Sequence, residues 1–461
     1  MNPLHALDTA RVPGPVRRLL ETLQNTGRRA VLVGGCVRDL ARGVEVGDWD
    51  VGTAATPTEV QALFPRTVPT GLRHGTVTVL TARGAVEVTT FRVESGYRDA
   101  RHPDHITFTD DLRADLERRD FTVNAIAWDP IADREEDPFG GRADLAAGIL
   151  RAVGDPLRRF QEDGLRPVRA ARFTATLEFE IEAETERAMG ASRERVAMVA
   201  AERIRDELAK ILGARVPSRG FEAMRRTGLL GVVLPELAAC IAVMQNRYHA
   251  HDVYNHSIYT CDAAPRDKPD VRLAALLHDV GKPATRVERE NGDATFYNHQ
   301  YESARLAEQA LTRLRFSRET TEHVVHLIRQ HMFDYRPAWT DAAVRRFLRS
   351  VGPEHVADLF DLRIADNVGN GTKVGFPHYL EELTARIEGV LAGAQAFTLR
   401  DLAVDGRDVM RECLLPAGPH VGAVLERLLE EVIDHPERND RACLLRRLRE
   451  GSPIDTSKRD A

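Results

Sequence analysis

The sequence of 461 residues predicts an α+β protein, in which a head with a mixed sheet is followed by helical domains. Two observations predict this fold class. Between residues 30 and 130, short apolar runs alternate with turn residues, which is typical of strands, and helical stretches lie between them. After about residue 155, the apolar residues recur with helical spacing. At roughly 150 residues per domain, a chain of this length indicates about three domains or more.

The predicted elements of the head follow one another in order. Strands are predicted at 30–35, 48–54, 75–81, 85–91 and 121–128, and helices at 36–43 and 56–64. Farther along, 201–214 and 220–234 have the spacing of amphipathic helices. The stretch 246–370 is also helical and holds most of the histidines, so we expect a separate helical domain there.

Composition excludes several classes of protein. With 43% hydrophobic and 29% charged residues, and with apolar runs too short to span a membrane, we expect a soluble protein with no membrane partner. The N-terminus lacks the features of a secretory signal, which predicts a cytoplasmic location. The 5 cysteines lie far apart, so neither a disulfide framework nor a cysteine zinc site is indicated. A net charge of -6 argues against general coating of nucleic acid but leaves room for arginine-rich patches.

Two aspartates and a glycine turn form the first candidate site. Asp48 and Asp50 are two apart on a predicted strand, so their carboxylates lie on one side and need a cation between them, for which Mg²⁺ is suited. Gly34 and Gly35 end the preceding strand and open a helix, leaving backbone amides for a phosphate, and Arg38 adds a cation. Each signal alone is usually an ordinary turn. Their order indicates a nucleoside triphosphate held against two metal ions.

Several ordered motifs share a resemblance. "LVGGCVRD" followed by "GDWDVGTAATP" resembles the first motif of the class II tRNA nucleotidyltransferase and bacterial poly(A) polymerase family, a branch of the polymerase β-like nucleotidyltransferases. "RHGTVTV", "VEVTTFR" and "DLERRDFTVNAIAWDP" resemble the other head motifs. "RRFQEDGLRPVRAARF" resembles the neck motif and "LAVDGRDVM" the start of the tail. The resemblance covers nearly the whole chain outside about 246–370.

The resemblance implies a fold, an activity and roles for particular residues. The fold would be a polymerase β-like head followed by an all-helical neck, body and tail. Asp48 and Asp50 would bind the catalytic Mg²⁺ ions, Gly35 and Arg38 would contact the nucleotide, and Arg119 falls at the family's nucleotide-contacting arginine. The substrates would be ATP and CTP, and the partner would be tRNA, which receives C and A at its 3′ end.

The neck motif predicts how the base is chosen. Asp163 and Arg166 are three apart and would share one face of a helix, where an acceptor beside a donor fork can read the edge of C or A. The resemblance implies that the protein itself serves as the template. Arg169 and Arg172 continue the same face and are expected to hold the nucleotide or its phosphates. Read alone, the stretch could be an ordinary helix with salt bridges.

Two residues of the neck motif depart from the family pattern. Gly164 and Pro167 stand where the family more often has helix-forming residues. Proline biases the preceding Arg166 away from helical geometry unless the helix begins there, so we expect base selectivity to differ from the common pattern. In the head, the loop within "FRVESGYRDARHPDHITF" is of full length, whereas members that add only CC lack a flexible loop here. This favours addition of the terminal A, as complete CCA or as A alone.

Histidines and aspartates of the 246–370 region form the second candidate site. They lie on successive predicted helices, and imidazoles and carboxylates that converge in this way form a divalent metal site with positions open to water and phosphate. The region resembles an HD-domain phosphohydrolase, which implies a divalent transition metal or Mg²⁺ on four ligands, His256, His278, Asp279 and Asp366. The histidines and aspartates that lie on the successive predicted helices are His256, His278, Asp279, His299, His331 and Asp366.

In some tRNA nucleotidyltransferases such a domain trims 2′,3′-cyclic phosphates or removes phosphate from damaged tRNA ends. A retained fold without turnover is the alternative. For the whole chain, the alternatives are a poly(A) polymerase, a (p)ppGpp synthetase and hydrolase, whose domain order differs, and a non-catalytic RNA-binding protein. The predicted domains are a head at 1–150, a neck at 151–215, a body at 216–245, an HD-type domain at 246–370 and a tRNA-binding tail at 371–461.

Overall fold

The computed structural model describes residues 4–96, 105–246, 249–290, 293–372, 377–393 and 397–450. The head contains nine strands, β1 (Ala30–Val33), β2 (Trp49–Thr53), β3 (Thr67–Gly71), β4 (Thr76–Thr81), β5 (Gly84–Thr90), β6 (Arg92–Ser95), β7 (His105–Phe108), β8 (Ala127–Asp129) and β9 (Arg134–Glu136). Seven of them form one sheet in the order β3-β4-β5-β2-β1-β8-β9. β2 and β5 are parallel, while β1 runs antiparallel to both β2 and β8, so the predicted mixed sheet is confirmed.

The sheet is buried on both faces near β1. Leu32 packs toward the helices on one face, whereas Val31 and Val33 pack with Phe91 and Leu112 on the other. This accounts for the continuous apolar run of β1, since a strand covered on both faces has no polar side. The helices of the head are α1 (Gly14–Asn25), α2 (Gly35–Ala41), α3 (Pro57–Leu63), α4 (Leu112–Glu117) and α5 (Gly141–Ala147).

The strand predicted at 121–128 is wrong over its first half. Thr122–Asn124 forms a turn of 3₁₀-helix, and the strand begins only at Ala127. The Asp120 carboxylate accepts hydrogen bonds from the Phe121 amide (2.8 Å) and from Asn124 Nδ2 (3.0 Å), which favours the tight turn over an extended chain. Of the stretch 91–108 in which the flexible loop is predicted, residues 97–104 lie outside the described residues, and the strands β6 and β7 on either side of them pair with each other.

The rest of the described chain is helical apart from two short strand pairs, which confirms the α+β class. The strands are β10 (Ile149–Leu150), β11 (Glu180–Ile181), β12 (Val287–Glu288) and β13 (Ala294–Thr295). The helices are α6 (Pro156–Glu162), α7 (Arg166–Leu177), α8 (Ala183–Ala191), α9 (Arg193–Ala197), α10 (Ala201–Leu212), α11 (Ser218–Arg226), α12 (Leu230–Val233), α13 (Pro235–Ala238), α14 (Val253–Ala263), α15 (Pro269–Leu277), α16 (Lys282–Thr285), α17 (His299–Arg313), α18 (Arg318–Gln330), α19 (Asp341–Val351), α20 (Val356–Gly369), α21 (Tyr379–Ala392), α22 (Gly406–Glu412), α23 (Pro419–Asp434) and α24 (Arg441–Glu450).

Two hydrophobic cores organise this helical part. One continuous cluster of buried side chains extends from Phe121 in the head to Val390 in α21. The tail has a core of its own, from Leu402 to Leu448. Within the described ranges, each helix is either too short or too polar to cross a bilayer.

Candidate active site and metal centre

The glycine turn lies where β1 passes into α2. Gly34 has a φ of 77°, a left-handed conformation that favours glycine. A Cβ atom at Gly34 would lie 2.7 Å from Arg119 Nη1, so the missing side chain is what allows this guanidinium to lie against the turn. Arg119 Nε is buried and has no hydrogen-bond partner within the described ranges. The structure therefore brings three predicted residues, Gly34, Gly35 and Arg119, to one place.

Three carboxylates lie beside the turn. Asp48 is exposed directly before β2, and Asp50 is half-buried on β2. Glu87 of β5 is the register partner of Asp50, so the two side chains lie on the same face of the sheet. The pKa of Asp50 is raised to about 6, chiefly by burial and also by the charges of Glu87 and Asp48, while the charge of Arg119 opposes the rise. Oxygen donors whose charges repel one another fit Mg²⁺.

Sequence reasoning missed Glu87 as a site residue. It lies within the quoted motif "VEVTTFR", but only the parallel register of β2 and β5 places it beside Asp50.

A chain of hydrogen bonds connects two of the predicted arginines. Arg38 Nη1 donates to Asn124 Oδ1 (2.6 Å), and Asn124 Nδ2 donates to Asp120 Oδ1 (3.0 Å). Arg169 Nη2 then donates to Asp120 Oδ2 at 2.6 Å. Burial alone would raise the pKa of Asp120, but the charge of Arg169 and these hydrogen bonds lower it well below its usual range. Asp120 is therefore a buried anion that fixes the arginines around it.

The same arginines meet at an aromatic ring. The guanidinium of Arg172 lies 3.7 Å from the centroid of the Phe173 ring, and those of Arg38 and Arg169 lie 5.5 and 5.8 Å from it. Arg172 also pairs with Glu207 (2.7 Å). Burial lowers the pKa of Arg172 to about 10, so the side chain still carries its charge at neutral pH. The head and neck thus share a cluster of arginines next to the carboxylates, and each arginine is paired with an acidic side chain, Asp39, Asp120 or Glu207.

The predicted common helix face of Asp163 and Arg166 is wrong. Asp163 ends α6 in an extended conformation with a φ of -134°, and Arg166 is the first residue of α7. The Asp163 carboxylate, which is half-buried, forms a two-point pair with Arg203 at 3.1 and 2.9 Å. The two candidate base-reading residues therefore flank a turn between helices.

Arg166 is buried and donates within the protein. Its Nη1 donates to Glu162 Oε2 (2.7 Å), and its Nη2 donates to the Arg118 carbonyl (2.8 Å). The helix begins at Arg166, so Pro167 falls in the first turn, where a missing N–H has no intrahelical partner to lose. At Gly164 a Cβ atom would lie 2.5 Å from the Arg195 carbonyl oxygen, so close packing of the turn explains this glycine.

The histidines and aspartates of the second site converge. Two groups of donor atoms satisfy metal-ligand spacing among the described residues, and Asp279 belongs to both groups. In the first, His256 Nε2 lies 3.1 Å from His278 Nε2 and 3.4 Å from Asp279 Oδ2. Asp366 adjoins this group, with Oδ1 at 3.2 Å from His256 Nε2. All four predicted ligands are thus brought together.

The second donor group comprises Asp279, His299 and His331. His299 Nε2 lies 3.2 Å from Asp279 Oδ1 and 3.3 Å from His331 Nε2. Both histidines were predicted to lie on neighbouring helices, but neither was assigned as a ligand. The signal was their position at helix ends, since His299 opens α17 and His331 follows α18, where side chains of separate helices can meet.

The buried carboxylates and imidazoles of this centre shift one another's pKa values. Burial opposes ionisation of Asp366, but hydrogen bonding to His256 and the nearby imidazoles lower its pKa well below the usual range. Burial would lower the pKa of His256, yet hydrogen bonds to Asp279 and Asp366 raise it to about 9. Lys282 Nζ lies 2.6 Å from Asp279 Oδ2. Mixed nitrogen and oxygen donors of this kind fit a divalent transition metal.

Two glycines allow the helices that carry the histidines and aspartates of this centre to approach one another closely. A Cβ atom at Gly369 would lie 2.6 Å from the Thr260 amide nitrogen, so α20 can lie directly against α14, which carries His256. At Gly281 a Cβ atom would lie 2.5 Å from the Ser303 amide nitrogen on α17. The geometry of the centre therefore depends on backbone contacts that larger residues would prevent.

Comparison with known proteins gives a consistent result. Residues 30–151 match the family described as the poly A polymerase head domain, 178–241 match the probable RNA and SrmB-binding site of polymerase A, and 237–371 match the HD domain. A CCA-adding enzyme of Lactobacillus helveticus is 50% identical over 193 residues, and there the chain spans about half (48%) of the relative's length.

Other relatives match along most of their length. The CCA-adding enzyme of Lactiplantibacillus plantarum is 33% identical over 431 residues, which cover 93% of each chain. That of a Geobacillus species is 33% identical and covers 91% of this chain and 92% of the relative. The solved structure of the Bacillus stearothermophilus CCA-adding enzyme in complex with CTP superimposes with a TM-score of 0.70 at 29% identity, covering 95% of this chain and 98% of that one. With 33% identity maintained from the head to the tail, this chain belongs to the family of CCA-adding enzymes.

Proposed function

We propose that this protein is a tRNA nucleotidyltransferase that adds C and A to the tRNA 3′ end without a nucleic-acid template, as complete CCA or as the terminal A. The observation that supports this most directly is the set of three carboxylates, Asp48, Asp50 and Glu87, next to the arginine cluster of head and neck. CTP and ATP would be the substrates, and pyrophosphate would be released.

Each group of residues has a role in this reaction. The 3′-hydroxyl of tRNA would attack the α-phosphate in line, and the arginines would neutralise the triphosphate and the departing pyrophosphate. Mg²⁺ bound at Asp48, Asp50 and Glu87 would supply Lewis-acid stabilisation of the developing charge. Arg119, held against Gly34, would orient the nucleotide relative to the carboxylates.

Base selection would take place at the turn between α6 and α7. We propose that Asp163 and Arg166 read the base from the two sides of this turn. Asp163 is already oriented by Arg203, and its half-buried carboxylate can accept a hydrogen bond from the amine of C or A. Arg166 would present a donor after exchanging part of its bonding with Glu162. The variant Pro167→Leu tests whether the start of α7 at Arg166, with proline in its first turn, affects the preference between C and A. An unchanged preference contradicts that effect.

The experiment uses three transcripts of one tRNA, ending before CCA, after C and after CC, each with CTP, ATP or both. Products are sized at one-nucleotide resolution. Completion of all three transcripts indicates a full CCA-adding enzyme, and A addition only to the CC-ended transcript indicates the A-only activity. Long A tails on any RNA end would instead support a poly(A) polymerase. Asp48→Ala should abolish addition, and retained activity in this variant would contradict the catalytic assignment.

A second candidate function is supported by the histidine and aspartate centre. We propose that it hydrolyses phosphate esters at RNA ends with two metal ions, one for each donor group sharing Asp279. Bound metal would supply a water molecule activated for attack on phosphorus. Lys282, 2.6 Å from Asp279, would contribute a positive charge near the phosphate.

Hydrolysis of a 2′,3′-cyclic phosphate at an RNA end tests this second function. We expect wild-type protein with Mn²⁺ to add water across one P–O bond of the ring and leave a phosphate monoester on the RNA, and Asp279→Ala to lose that activity while still adding nucleotides to tRNA. If wild-type protein with several divalent metals neither opens the ring nor releases phosphate from the monoester, the domain is a retained fold without turnover.

A further inference from the structure

The metal centre is joined across its two halves by an arginine that is not one of its donors. We infer that Arg363 is a positioning residue that fixes His331 and Asp366 relative to each other. This inference rests on the proposed metal-binding function of the centre. Arg363 lies on α20 one helical turn before Asp366, and it is half-buried.

The contacts of Arg363 reach two helices. Its Nη2 donates to the His331 carbonyl (2.5 Å) and to the Phe333 carbonyl (2.7 Å), while Nη1 lies 3.8 Å from Asp366 Oδ2. The two carbonyls follow the end of α18, where backbone oxygens lack partners within the helix. The arginine therefore caps the helix that presents His331 and is attached to the helix that presents Asp366.

The aromatic ring of Phe333 holds the guanidinium of Arg363 in one orientation. Its carbon lies 4.6 Å from the centroid of the Phe333 ring, and Phe333 in turn packs against Phe347 and Phe360, with ring centroids 5.3 and 5.9 Å away. A planar guanidinium that stacks on a ring while one of its nitrogens donates to two carbonyls cannot be reproduced by the point charge of lysine. The position of Arg363 is therefore fixed by packing as well as by hydrogen bonds.

The two connected ligands belong to different halves of the centre. His331 is part of the group with Asp279 and His299, whereas Asp366 adjoins His256 in the other group. One side chain thus sets the separation between the halves. Loss of this connection should alter the geometry between two bound metal ions more than it alters the stability of the fold.

The test measures Mn²⁺ binding and the electron paramagnetic resonance spectrum of the full-length protein. We expect the histidine and aspartate centre of the wild type to bind two Mn²⁺ with the spectrum of a spin-coupled pair, in addition to the Mn²⁺ that Asp48, Asp50 and Glu87 bind in the head. Arg363→Met should lose the coupled spectrum and bind the second Mn²⁺ about tenfold more weakly, since supporting partners of metal ligands commonly contribute about 10–100-fold to affinity. Arg363→Lys, which keeps a donor and the charge, should show a smaller loss.

The matched control is Arg313→Met. Arg313 also donates to a carbonyl, that of Val233 (3.1 Å), and pairs with Glu236 (2.8 Å), but at the far end of α17 from His299. Thermal unfolding and nucleotide addition check that each variant is folded, and Arg363→Lys provides the test if Arg363→Met does not fold. A coupled spectrum with wild-type affinity in both Arg363 variants would overturn the inference alone. Absence of Mn²⁺ binding at the histidine and aspartate centre in wild type would overturn the proposed metal function and the inference together.

Discussion

At the scale of single residues, the nucleotide site depends on an atom that is absent, the Cβ of Gly34. Arg119 Nη1 lies 2.7 Å from the position that a Cβ atom at Gly34 would take, which is too close for both atoms to be present. Gly27 is a useful comparison because it has a similar φ of 78° but open space around it. The two glycines therefore separate the effect of backbone strain from the effect of contact with the arginine.

We predict that Gly34→Ala lowers kcat/KM for CTP and ATP by roughly a hundredfold, because Arg119 is displaced from its position over the turn. Gly27→Ala should have the same strain cost of about 1–2 kcal/mol but nearly normal kcat/KM. Steady-state kinetics measures the difference, with CTP on a tRNA that ends before CCA and with ATP on a CC-ended tRNA. Equal losses in both variants would show that Arg119 has no special role at the turn.

Asp120 gives a prediction about pH. Its pKa is lowered in the folded protein, so the stability it contributes is present above the unfolded value of about 3.9 and is lost as pH falls below that value. Asp120→Asn should lower the free energy of unfolding at pH 7 by about 1–3 kcal/mol, since Arg169 remains partly exposed to solvent. Urea denaturation should show the two proteins converging as the pH is lowered below about 4. A constant difference down to pH 3 would contradict this role.

At the scale of elements, the crossing of α14 and α20 sets the metal centre. We predict that Gly369→Ala separates these helices, removes the His256–Asp366 contact and abolishes Mn²⁺ binding at this centre, with an overpacking cost of about 1–3 kcal/mol. Gly389→Ala is the matched control, because Gly389 lies within α21 with open space around it. Metal content and tRNA nucleotide addition are measured together. Retained metal in Gly369→Ala would mean that the helices can adjust.

Local patterns predicted part of this arrangement, and long-range contacts determined the rest. The glycine turn, the aspartate strand and the convergence of His256, His278, Asp279 and Asp366 could be predicted because each depends on neighbours in sequence or on a motif. Glu87 could not, because its place beside Asp50 depends on a pairing between strands 37 residues apart, from 50 to 87. The helix predicted through Asp163 and Arg166 was wrong because Gly164 packs against the Arg195 carbonyl, a contact that sequence spacing does not reveal.

At the scale of the whole molecule, the part of the tail from Leu402 to Leu448 contacts α19 through charged side chains. Two arginines of α19 face acidic groups of α23, with Arg346 Nη2 at 2.8 Å from Asp434 and Arg349 paired with Glu426 and Glu430. These pairs are partly exposed, and the tail keeps its own core. Exposed pairs contribute at most about 1 kcal/mol each and are weakened by salt.

We predict that the tail detaches from α19 as NaCl is raised from 0.1 to 1 M, which shortens the screening length from about 10 to 3 Å. Hydrogen exchange in α19 and α23 and small-angle scattering measure this. Arg349→Glu should release the tail at low salt, and the added change Glu426→Arg should partly restore it. Arg318→Glu is the control, because Arg318 pairs with Glu322 within α18. Attachment that is insensitive to salt and to charge reversal would contradict an ionic interface.

The continuous core from Phe121 to Val390 has an evolutionary consequence. The HD-type region is inserted between the body and the tail, yet its buried side chains join those of the neck and body without a boundary. These helices therefore cannot be deleted without harm to the rest of the protein, because deletion would expose the apolar faces of the neck and body to water. A lineage in which RNA-end hydrolysis became dispensable would keep these helices and lose only their histidines and aspartates. The helical fold would then be retained after the hydrolase activity is lost.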